Sequence, residues 1–453
     1  MARRTLLWFV LFAFLFALWL RVQAWVDRDR AQSLALEQAA YRQIRHLIDE
    51  RYVDDVDDRK LFFGALEGMA ASLDRHTAFW TPEHYELEKS STSGHFGGLG
   101  IEISMDEEEG LTIVTPMQDT PAFRAGLLPD DRIRKIDGQA TQGMDLNEAS
   151  RLLRGPPESK VVLTVARAGQ EAPFDVEVLR EVIKVRSVQE TAVLAAPRSV
   201  SARIPAEAPK LGYVQVAAFQ EETAADLDRA MGELERQGIR GLILDLRQNR
   251  GGLLTSAVDV CDLFLTEGTI VSTRARADRE GADEGPEVFS AHGDGTHPTY
   301  PLVVLIDSQS ASASEIVAGC LKDSGRAVLV GEKSYGKGSV QTIIPVTLGG
   351  LGEAALKLTT GKYYTPSGVC IDGTGILPDF EVKFESEQLR GLLLARRQRR
   401  LALNDPRRNG SQAAPVPPPN PEGKPDKEKE EAEKFNDTQL EKAVEVLIRQ
   451  LGK

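Results

Sequence analysis

The chain has 453 residues, which is more than one ordinary hydrophobic core holds, so several domains are expected. Lys and Arg number 55 against 68 acidic residues, and the resulting net charge of −13 argues against nucleic acid as a partner. Three cysteines and six histidines form no C-x-x-C or H-E-x-x-H pattern, so neither a metal site nor a cofactor is predicted.

The N-terminus has the form of an export signal. Two arginines precede an uncharged apolar run, residues 6–20, and Arg21 follows it. A basic start before an apolar run is typical of a signal sequence. The run becomes long enough to span a membrane if residues 5 and 22–26 are added. We therefore predict a signal sequence or transmembrane anchor over residues 1–26, and we favour an anchor in the inner membrane, with the protein on its periplasmic or extracytoplasmic face.

The next two regions differ in the period of their apolar residues. Spacings of three and four residues predict a helical segment over residues 27–95. Short strands, turns and two helices follow, in an order that resembles a PDZ domain over residues 96–182. In PDZ domains the backbone N–H groups of a loop receive the C-terminal carboxylate of a peptide. The resemblance implies that this loop consists of Gly98, Leu99, Gly100 and Ile101.

The following region, residues 183–403, alternates continuous apolar strands with amphipathic helices. This alternation predicts a largely parallel sheet covered on both faces. The Pro-rich and then charged segment 404–437 has too little apolar content to fold, and it is predicted to be a disordered linker. Helical periodicity returns in residues 438–453, which form the predicted C-terminal helix.

One stretch nearly matches a phosphate-binding loop. Gly331, Gly336 and Lys337 satisfy G-x-x-x-x-G-K, but Gly338 replaces the Ser or Thr that ligates magnesium. The next segment, 339–348, is β-branched and contains a proline, so it does not predict the helix whose N-terminus would bind phosphate. A nucleotide site is therefore disfavoured.

The stretch DSQSASASE (307–315) joins a predicted strand to a predicted helix. Ser312 and Glu315 have the spacing of a capping box, which by itself explains both residues. A serine at a helix N-terminus is also well placed as a nucleophile, because the N–H groups there stabilise an oxyanion. No G-x-S-x-G motif or evident histidine partner is present, so a desolvated lysine is the alternative general base.

Lys337 is a candidate for that base, because the glycines on both sides leave room for it to approach a nucleophile. Gln341 lies four residues on, on the same face of a strand, where its amide could orient the amine. Gly251 and Gly252 follow a buried strand and form either an ordinary turn or a source of N–H groups for a substrate carbonyl. By spacing alone, Lys337 as a solvated lysine and Gln341 as a surface residue remain the ordinary interpretation.

Five motifs occur together in one order. They are R-x-N-x-G-G (247–252), S-A-S-A-S-E (310–315), E-K-S-Y-G-K-G-S-V-Q (332–341), Y-Y-T-P-S-G (363–368) and G-x-G-I-x-P-D (373–379). As a set they resemble the carboxyl-terminal processing peptidases, or tail-specific proteases, over roughly residues 40–385. The resemblance implies that Ser312 is the nucleophile, Lys337 the general base and Gln341 the residue that orients the lysine. It also implies an oxyanion hole built from the backbone N–H groups of Ala313 and of Gly251 or Gly252.

The resemblance implies an α/β multidomain fold, in which a PDZ domain is joined to an α/β serine-protease core with N- and C-terminal helices. The predicted function is a serine endopeptidase that cleaves near the C-termini of unfolded or partly disordered exported proteins, which its PDZ domain recognises by their C-termini. A homodimer through the terminal helices is also implied, and no metal or cofactor is required. The alternative is a catalytically silent PDZ scaffold that binds protein C-termini.

Overall fold

The computed structural model of the protein describes residues 2–106, 110–194, 198–275, 286–293, 296–403 and 427–452. It divides into two compact units, Met1–Phe79 and Trp80–Lys453. The first unit is mainly helical, and the second contains both strands and helices. The mixed α/β class that the sequence predicts is therefore confirmed.

The N-terminal unit consists of the helices Ala2–Arg51 and Asp58–Ala71, and the strand Ala78–Trp80 begins at its end. Asp57 caps the second helix, because its carboxylate accepts hydrogen bonds from two backbone N–H groups of the first turn at 2.9 and 3.1 Å. The predicted helices are present, although the first one starts well before residue 27.

The predicted membrane anchor is not tested by this fold. Among the helices whose residues are described, none is long and apolar enough to cross a membrane. Most side chains of residues 2–34, including much of the apolar run 6–20, lie outside the described set. The anchor therefore stays a prediction.

The second unit begins with the helix Pro82–Ser93 and continues into a small antiparallel barrel. Two short helices, Pro121–Arg124 and Leu146–Leu153, contribute Ala122, Ala149 and Leu153 to the core of this barrel. A separate ribbon pairs His95–Gly98 with Glu181–Lys184. The strands of the barrel are Ile101–Asp106, Gly110–Pro116, Arg132–Ile136, Gln139–Ala140, Lys160–Ala166 and Phe174–Leu179. This arrangement contains the short strands and two helices, in PDZ-like order, that the sequence predicts.

A six-stranded sheet forms the centre of the second unit. Its first strand is antiparallel to the second, and the remaining strands are parallel. In order they are Val188–Leu194, Leu211–Val216, Gly241–Asp245, Leu302–Ile306, Val328–Gly331 and Phe380–Glu381. One face packs on the helices Thr223–Arg236, Leu254–Asp262 and Ala313–Asp323, and the other packs on Thr438–Leu451. Burial on both faces explains why these strands are continuously apolar.

Beside this sheet lies a smaller antiparallel one. It contains the strands Thr269–Ala275, Glu287–Ser290, Ser339–Thr347 and Glu353–Tyr364, with the 3-10 turn Gly349–Leu351 between the last two. The segment that follows Lys337 is therefore a strand, as its β-branched residues predict. A minor hairpin pairs Arg198–Ser199 with Ala202–Arg203.

The C-terminal region differs from its prediction in one respect. Helix Ser386–Leu403 is followed, beyond residues that the structure does not describe, by helices Lys427–Lys434 and Thr438–Leu451. The predicted linker 404–437 is therefore wrong over its last part. Ala432 and Phe435 belong to one apolar cluster with the preceding helix, and this narrow stripe is hidden in the composition by the charged residues around it.

Candidate active site

Three turns meet at one edge of the main sheet. The neighbouring parallel strands Gly241–Asp245, Leu302–Ile306 and Val328–Gly331 all end there. Ligands of parallel sheets bind at this carboxyl edge, because the loops that follow the strands converge on it. The turns carry the residues proposed from sequence as the oxyanion glycines, the nucleophile and the base.

Ser312 occupies a strained turn between a strand and a helix. Its φ of 55° and ψ of −115° lie outside the regions that L-residues ordinarily adopt. Such strain costs on the order of 1–3 kcal/mol, and it persists at functional sites where the surrounding structure enforces it. The G-x-S-x-G motif is absent, but the sharp strand-to-helix turn of a nucleophile elbow is present.

The buried serines of this stretch differ in what their hydroxyl groups do. Ser310 donates to the carbonyl oxygen of Leu246, and Ser314 donates to that of Asn249, each at 2.8 Å. The Ser312 hydroxyl, by contrast, donates a hydrogen bond to no described residue, and the residue is 8% exposed. Ser310 and Ser314 therefore hold the neighbouring turn in place, whereas Ser312 is chemically available.

Glu315 joins the serine turn to the lysine turn. One of its oxygens accepts from the Ser312 and Lys337 N–H groups, both at 2.8 Å. The other accepts from the Gly336 N–H group at 2.6 Å and the Ser334 hydroxyl at 2.5 Å. Glu315 is fully buried, and each of its two oxygens accepts from two donors. The residue does more than complete the predicted capping box, because it fixes the spacing of the two turns.

Lys337 is half-buried at the end of this turn, and its ammonium group forms no hydrogen bond or ion pair with a described residue. Burial lowers the pKa of Lys337, the positive charge of Lys357 lowers it further, and Glu315 opposes both. A lysine of this kind loses its proton more readily than a solvated one.

The glycine after Lys337 has a different role from the one expected. A Cβ atom on Gly338 would lie 2.1 Å from the backbone nitrogen of Asp372. The residue is therefore required because the chain passes close to another loop. The expected room beside Lys337 is not its main purpose.

Gln341 forms no hydrogen bond with Lys337 in this structure. Its amide nitrogen donates to the Ser339 hydroxyl at 2.8 Å and to Thr359 Oγ1 at 3.4 Å. Its carbonyl oxygen accepts no hydrogen bond from the described residues. Catalytic hydrogen bonds often form only when substrate is present, so the orienting role of Gln341 stays a prediction.

Two of the predicted oxyanion residues, Gly251 and Ala313, lie against Ser312. A Cβ atom on Gly251 would be 2.8 Å from the Ser312 Cβ and 3.0 Å from the Ala313 nitrogen, so only glycine fits. The Gly251 N–H group already donates to the Asn249 side chain at 2.9 Å. The N–H groups of Gly252 and Ala313 donate no hydrogen bond to any described residue. Of the two glycines left open by the sequence, Gly252 thus has the available donor.

A second groove lies in the barrel. It is lined by the predicted carboxylate-binding loop, Gly98 to Ile101, and by Ser150, Leu153 and Arg154 of the facing helix. The carbonyl oxygens of Leu99 and Gly100 accept hydrogen bonds from the barrel, whereas their N–H groups donate none to described residues. Free N–H groups beside apolar side chains suit a chain terminus with an apolar last residue.

Arg154 adds a positive charge that sequence reasoning missed. Its guanidinium lies 4.3 Å from the centre of the Phe96 ring, and no carboxylate of a described residue pairs with it. Burial lowers the pKa of this guanidinium. A partly desolvated, unpaired cation favours an anionic ligand. The sequence offered only an arginine at the end of a helix, which is ordinarily a solvated residue.

The described residues contain no cluster of three or more His, Cys, Asp or Glu side chains that could hold a metal ion.

Comparison with known proteins agrees with this geometry. Residues 210–382 match the model of peptidase family S41, and residues 112–167 match a PDZ domain. The carboxy-terminal-processing protease of Bartonella bacilliformis is 40% identical over 385 residues, which cover 84% of this chain and 83% of that protein. The chain belongs to the carboxy-terminal processing proteases. The predicted family, the predicted fold and the serine peptidase class are confirmed, and the silent scaffold is not favoured.

Two further relatives belong to the same group. The carboxyl-terminal-processing protease of Synechocystis is 37% identical over 338 residues, 74% of each chain. Among solved structures, the photosystem II D1 C-terminal processing protease is 30% identical, with a TM-score of 0.45 and coverage of 82% of this chain and 92% of its own.

Proposed function

We propose that this carboxy-terminal processing protease works through a Ser312–Lys337 dyad. The single observation that carries the proposal is the state of the three buried serines. Ser310 and Ser314 donate their hydroxyls to backbone carbonyls, whereas the Ser312 hydroxyl, at a strained helix start, donates to no described residue. Glu315 links the backbone of this residue to that of Lys337, which supports their action as a pair.

The proposed reaction is acyl transfer. Ser312 Oγ attacks the peptide carbonyl carbon while neutral Lys337 Nζ takes the hydroxyl proton. The C–N bond then breaks, and the same proton passes to the leaving amine. Lys337 next deprotonates a water molecule that attacks the acyl ester, and the proton returns to Ser312 as its oxygen leaves. The N–H groups of Ala313 and Gly252 stabilise the oxyanion in both halves, and Gln341 accepts a hydrogen bond from the Lys337 amine when substrate is bound.

The proposed substrates are proteins with a flexible, apolar C-terminal end. The groove beside Gly98 to Ile101 would hold the terminal carboxylate with the N–H groups of Leu99 and Gly100, and Arg154 would balance its charge. An unfolded chain end suits this arrangement, because the same segment must occupy the groove and reach Ser312.

The experiment compares matched serine and lysine variants. Ser312→Ala and Lys337→Met should each lower kcat/KM on an unstructured, apolar-tailed peptide by on the order of 10⁴-fold or more. Lys337→Arg should fail as well, because a guanidinium does not lose its proton. The exposed residues of the same turns provide the controls, Ser308→Ala and Lys333→Met, which should retain activity.

A fluorophosphonate probe provides the second readout. It should modify the Ser312 peptide in the wild-type chain and nothing in Ser312→Ala. Normal turnover by Ser312→Ala or Lys337→Met would refute the dyad, and absence of labelling in the wild type would favour the silent scaffold.

We also propose export with an N-terminal anchor and a homodimer through the terminal helices. The first rests on the basic and apolar pattern of residues 1–26. N-terminal sequencing of the membrane fraction distinguishes a retained anchor from a cleaved signal.

Light scattering on the purified chain tests the proposed homodimer, and a monomeric mass would refute it.

A further inference from the structure

The end of the chain is part of the protease core. Apolar side chains of the helix Thr438–Leu451 share one buried cluster with residues of the main sheet. The cluster joins Leu440, Ala443, Val444 and Leu447 to Leu211, Ile243, Val303, Leu305 and Val330. The match to the S41 family model ends at residue 382, so this helix lies beyond it. A segment outside the matched region therefore packs on one face of the catalytic sheet.

The same segment carries a buried charge into the core. Asp437 accepts two hydrogen bonds from the Arg247 guanidinium at 2.8 and 2.9 Å, and Gln439 accepts a third at 3.0 Å. Asp437 and Arg247 are each 1% exposed, although 190 residues separate them. Asp437 also accepts from the Leu440 N–H group at 3.0 Å, so it caps the helix at the same time.

Two further residues balance the charges. Asp245 accepts from Arg247 at 2.6 Å and from Arg396 at 2.7 Å. Burial by itself would raise the pKa of Asp245, but the two guanidinium groups outweigh it and hold the pKa well below its usual range. The cluster contains two cations and two anions, so the loss of Asp437 alone would leave an unpaired buried cation, which is strongly destabilising.

Arg247 is also the first residue of the turn that reaches Ser312. Its carbonyl oxygen accepts from Arg396 at 3.2 Å. Two residues on, the Asn249 side chain donates to the Val216 carbonyl at 2.8 Å and accepts from the Gly251 N–H group at 2.9 Å. Gly251 then contacts Ser312. A displacement of Arg247 would therefore be passed to Gly251 and Gly252 within a few bonds.

We propose that Asp437 is a positioning residue for the catalytic turn. Through Arg247, the segment 427–452 holds residues 247–252 in the conformation that presents the Gly252 N–H group to the oxyanion. In this sense the C-terminal segment acts as a ligand of the active site that belongs to the same chain. Residues 404–426 connect it covalently to the protease core. The kinetic readout below depends on the proposed serine peptidase function, and the exchange readout does not.

The test compares three full-length variants. Asp437→Asn keeps the size and the capping ability of the side chain but removes its charge. Gln439→Met removes the hydrogen bond from Arg247, and the one that Gln439 donates to the Val382 carbonyl, without unbalancing the charges. Glu445→Gln is the control, because it makes the same carboxylate-to-amide change on the partly exposed side of the same helix, where Glu445 pairs with Lys442.

The readouts are kcat per titrated active site, KM, and hydrogen exchange of the amides at 247–252. Asp437→Asn should lower kcat at least tenfold with KM within twofold, and the amides of the turn should exchange at least tenfold faster. Amides of the barrel strand Lys160–Ala166 should not change. Gln439→Met should lower kcat and speed the exchange of the turn amides by roughly threefold each. If Asp437→Asn does not fold, Gln439→Met is the variant that tests the proposal. Glu445→Gln should match the wild type.

The outcomes separate a positioning role from a merely structural one. Loss of folded protein with normal kcat per titrated site, or unchanged exchange at 247–252, would overturn the proposal. An inactive wild-type chain would instead count against the proposed function. The exchange data would still decide the role of Asp437 in that case.

Discussion

The active site and the barrel groove both offer backbone N–H groups to an oxygen atom, but their surroundings differ. At the active site, Glu315 has four donors and Arg247 lies between two carboxylates, whereas Lys337 has no ion-pair partner among the described residues. In the groove, Arg154 has no carboxylate partner among the described residues. A fixed network suits a site that must be organised before substrate arrives. An unpaired cation suits a site whose ligand supplies the missing charge.

The largest expected effect on the active-site network comes from a substitution of Glu315. In Glu315→Gln one carboxylate oxygen is replaced by an NH₂ group, which cannot accept hydrogen bonds from the donors that this oxygen now binds. The serine and lysine turns would therefore separate. We expect kcat to fall about 100-fold, the order of loss that a misplacement of 1 Å produces. The control is Glu332→Gln, a carboxylate of the neighbouring loop that accepts from the Phe384 N–H group instead. Peptide cleavage at matched folded fractions is the measurement, and equal kcat in the two variants would contradict the organising role.

Glu315 also shows how far sequence reasoning reaches. Its capping partner is three residues away, so the local spacing with Ser312 is visible in the sequence. Its bonds to residues 334–337 are not visible, because they depend on two parallel strands ending side by side. The choice of Ser312 over Ser310 and Ser314 likewise came from the family resemblance, and only the hydrogen bonds of the fold supply its physical reason.

The C-terminal region was harder to predict for the same reason. Its charged composition indicated a disordered linker up to residue 437, yet Asp437 is almost fully buried. A lone aspartate before a helix predicts an N-cap and nothing more. The local sequence around its partner Arg247 predicts a solvated arginine. The ion pair can therefore be recognised only in the folded chain, where the sheet brings the two residues together.

The groove should respond more mildly than the active site. Arg154→Met should weaken binding of a peptide with a free terminal carboxylate by about tenfold or more, because a hydrogen bond to a charged group is worth roughly 1.5–3 kcal/mol. A peptide with an amidated terminus should bind equally to both chains. Fluorescence anisotropy in the Ser312→Ala background measures binding without cleavage.

The exposed Arg151 of the same helix supplies the matched control. Arg151→Met should leave both peptides unaffected. Equal losses for the free and the amidated peptide in Arg154→Met would show that Arg154 only supports the groove through its contact with Phe96.

The smallest effect concerns Lys337, which has no ion-pair partner among the described residues. Lys337 must be neutral to accept a proton, so kcat/KM should rise as the pH rises through its lowered pKa. Lys357 repels the charged form, and Lys357→Met removes that repulsion. The pKa of Lys337 then rises, and the rising limb of the profile moves to higher pH. At pH values below that limb, kcat/KM of Lys357→Met should be lower than that of the wild type by up to about fivefold. This factor corresponds to roughly 1 kcal/mol of interaction between partly exposed charges.

Lys160→Met, in the barrel, makes the same change of net charge far from the catalytic turns and should leave the profile in place. A shift to lower pH in Lys357→Met, or an equal shift in both variants, would contradict this use of the charge. A second cation, Lys357, beside Lys337 thus favours the neutral base before substrate binds, whereas the groove keeps its unpaired cation, Arg154, for the substrate itself.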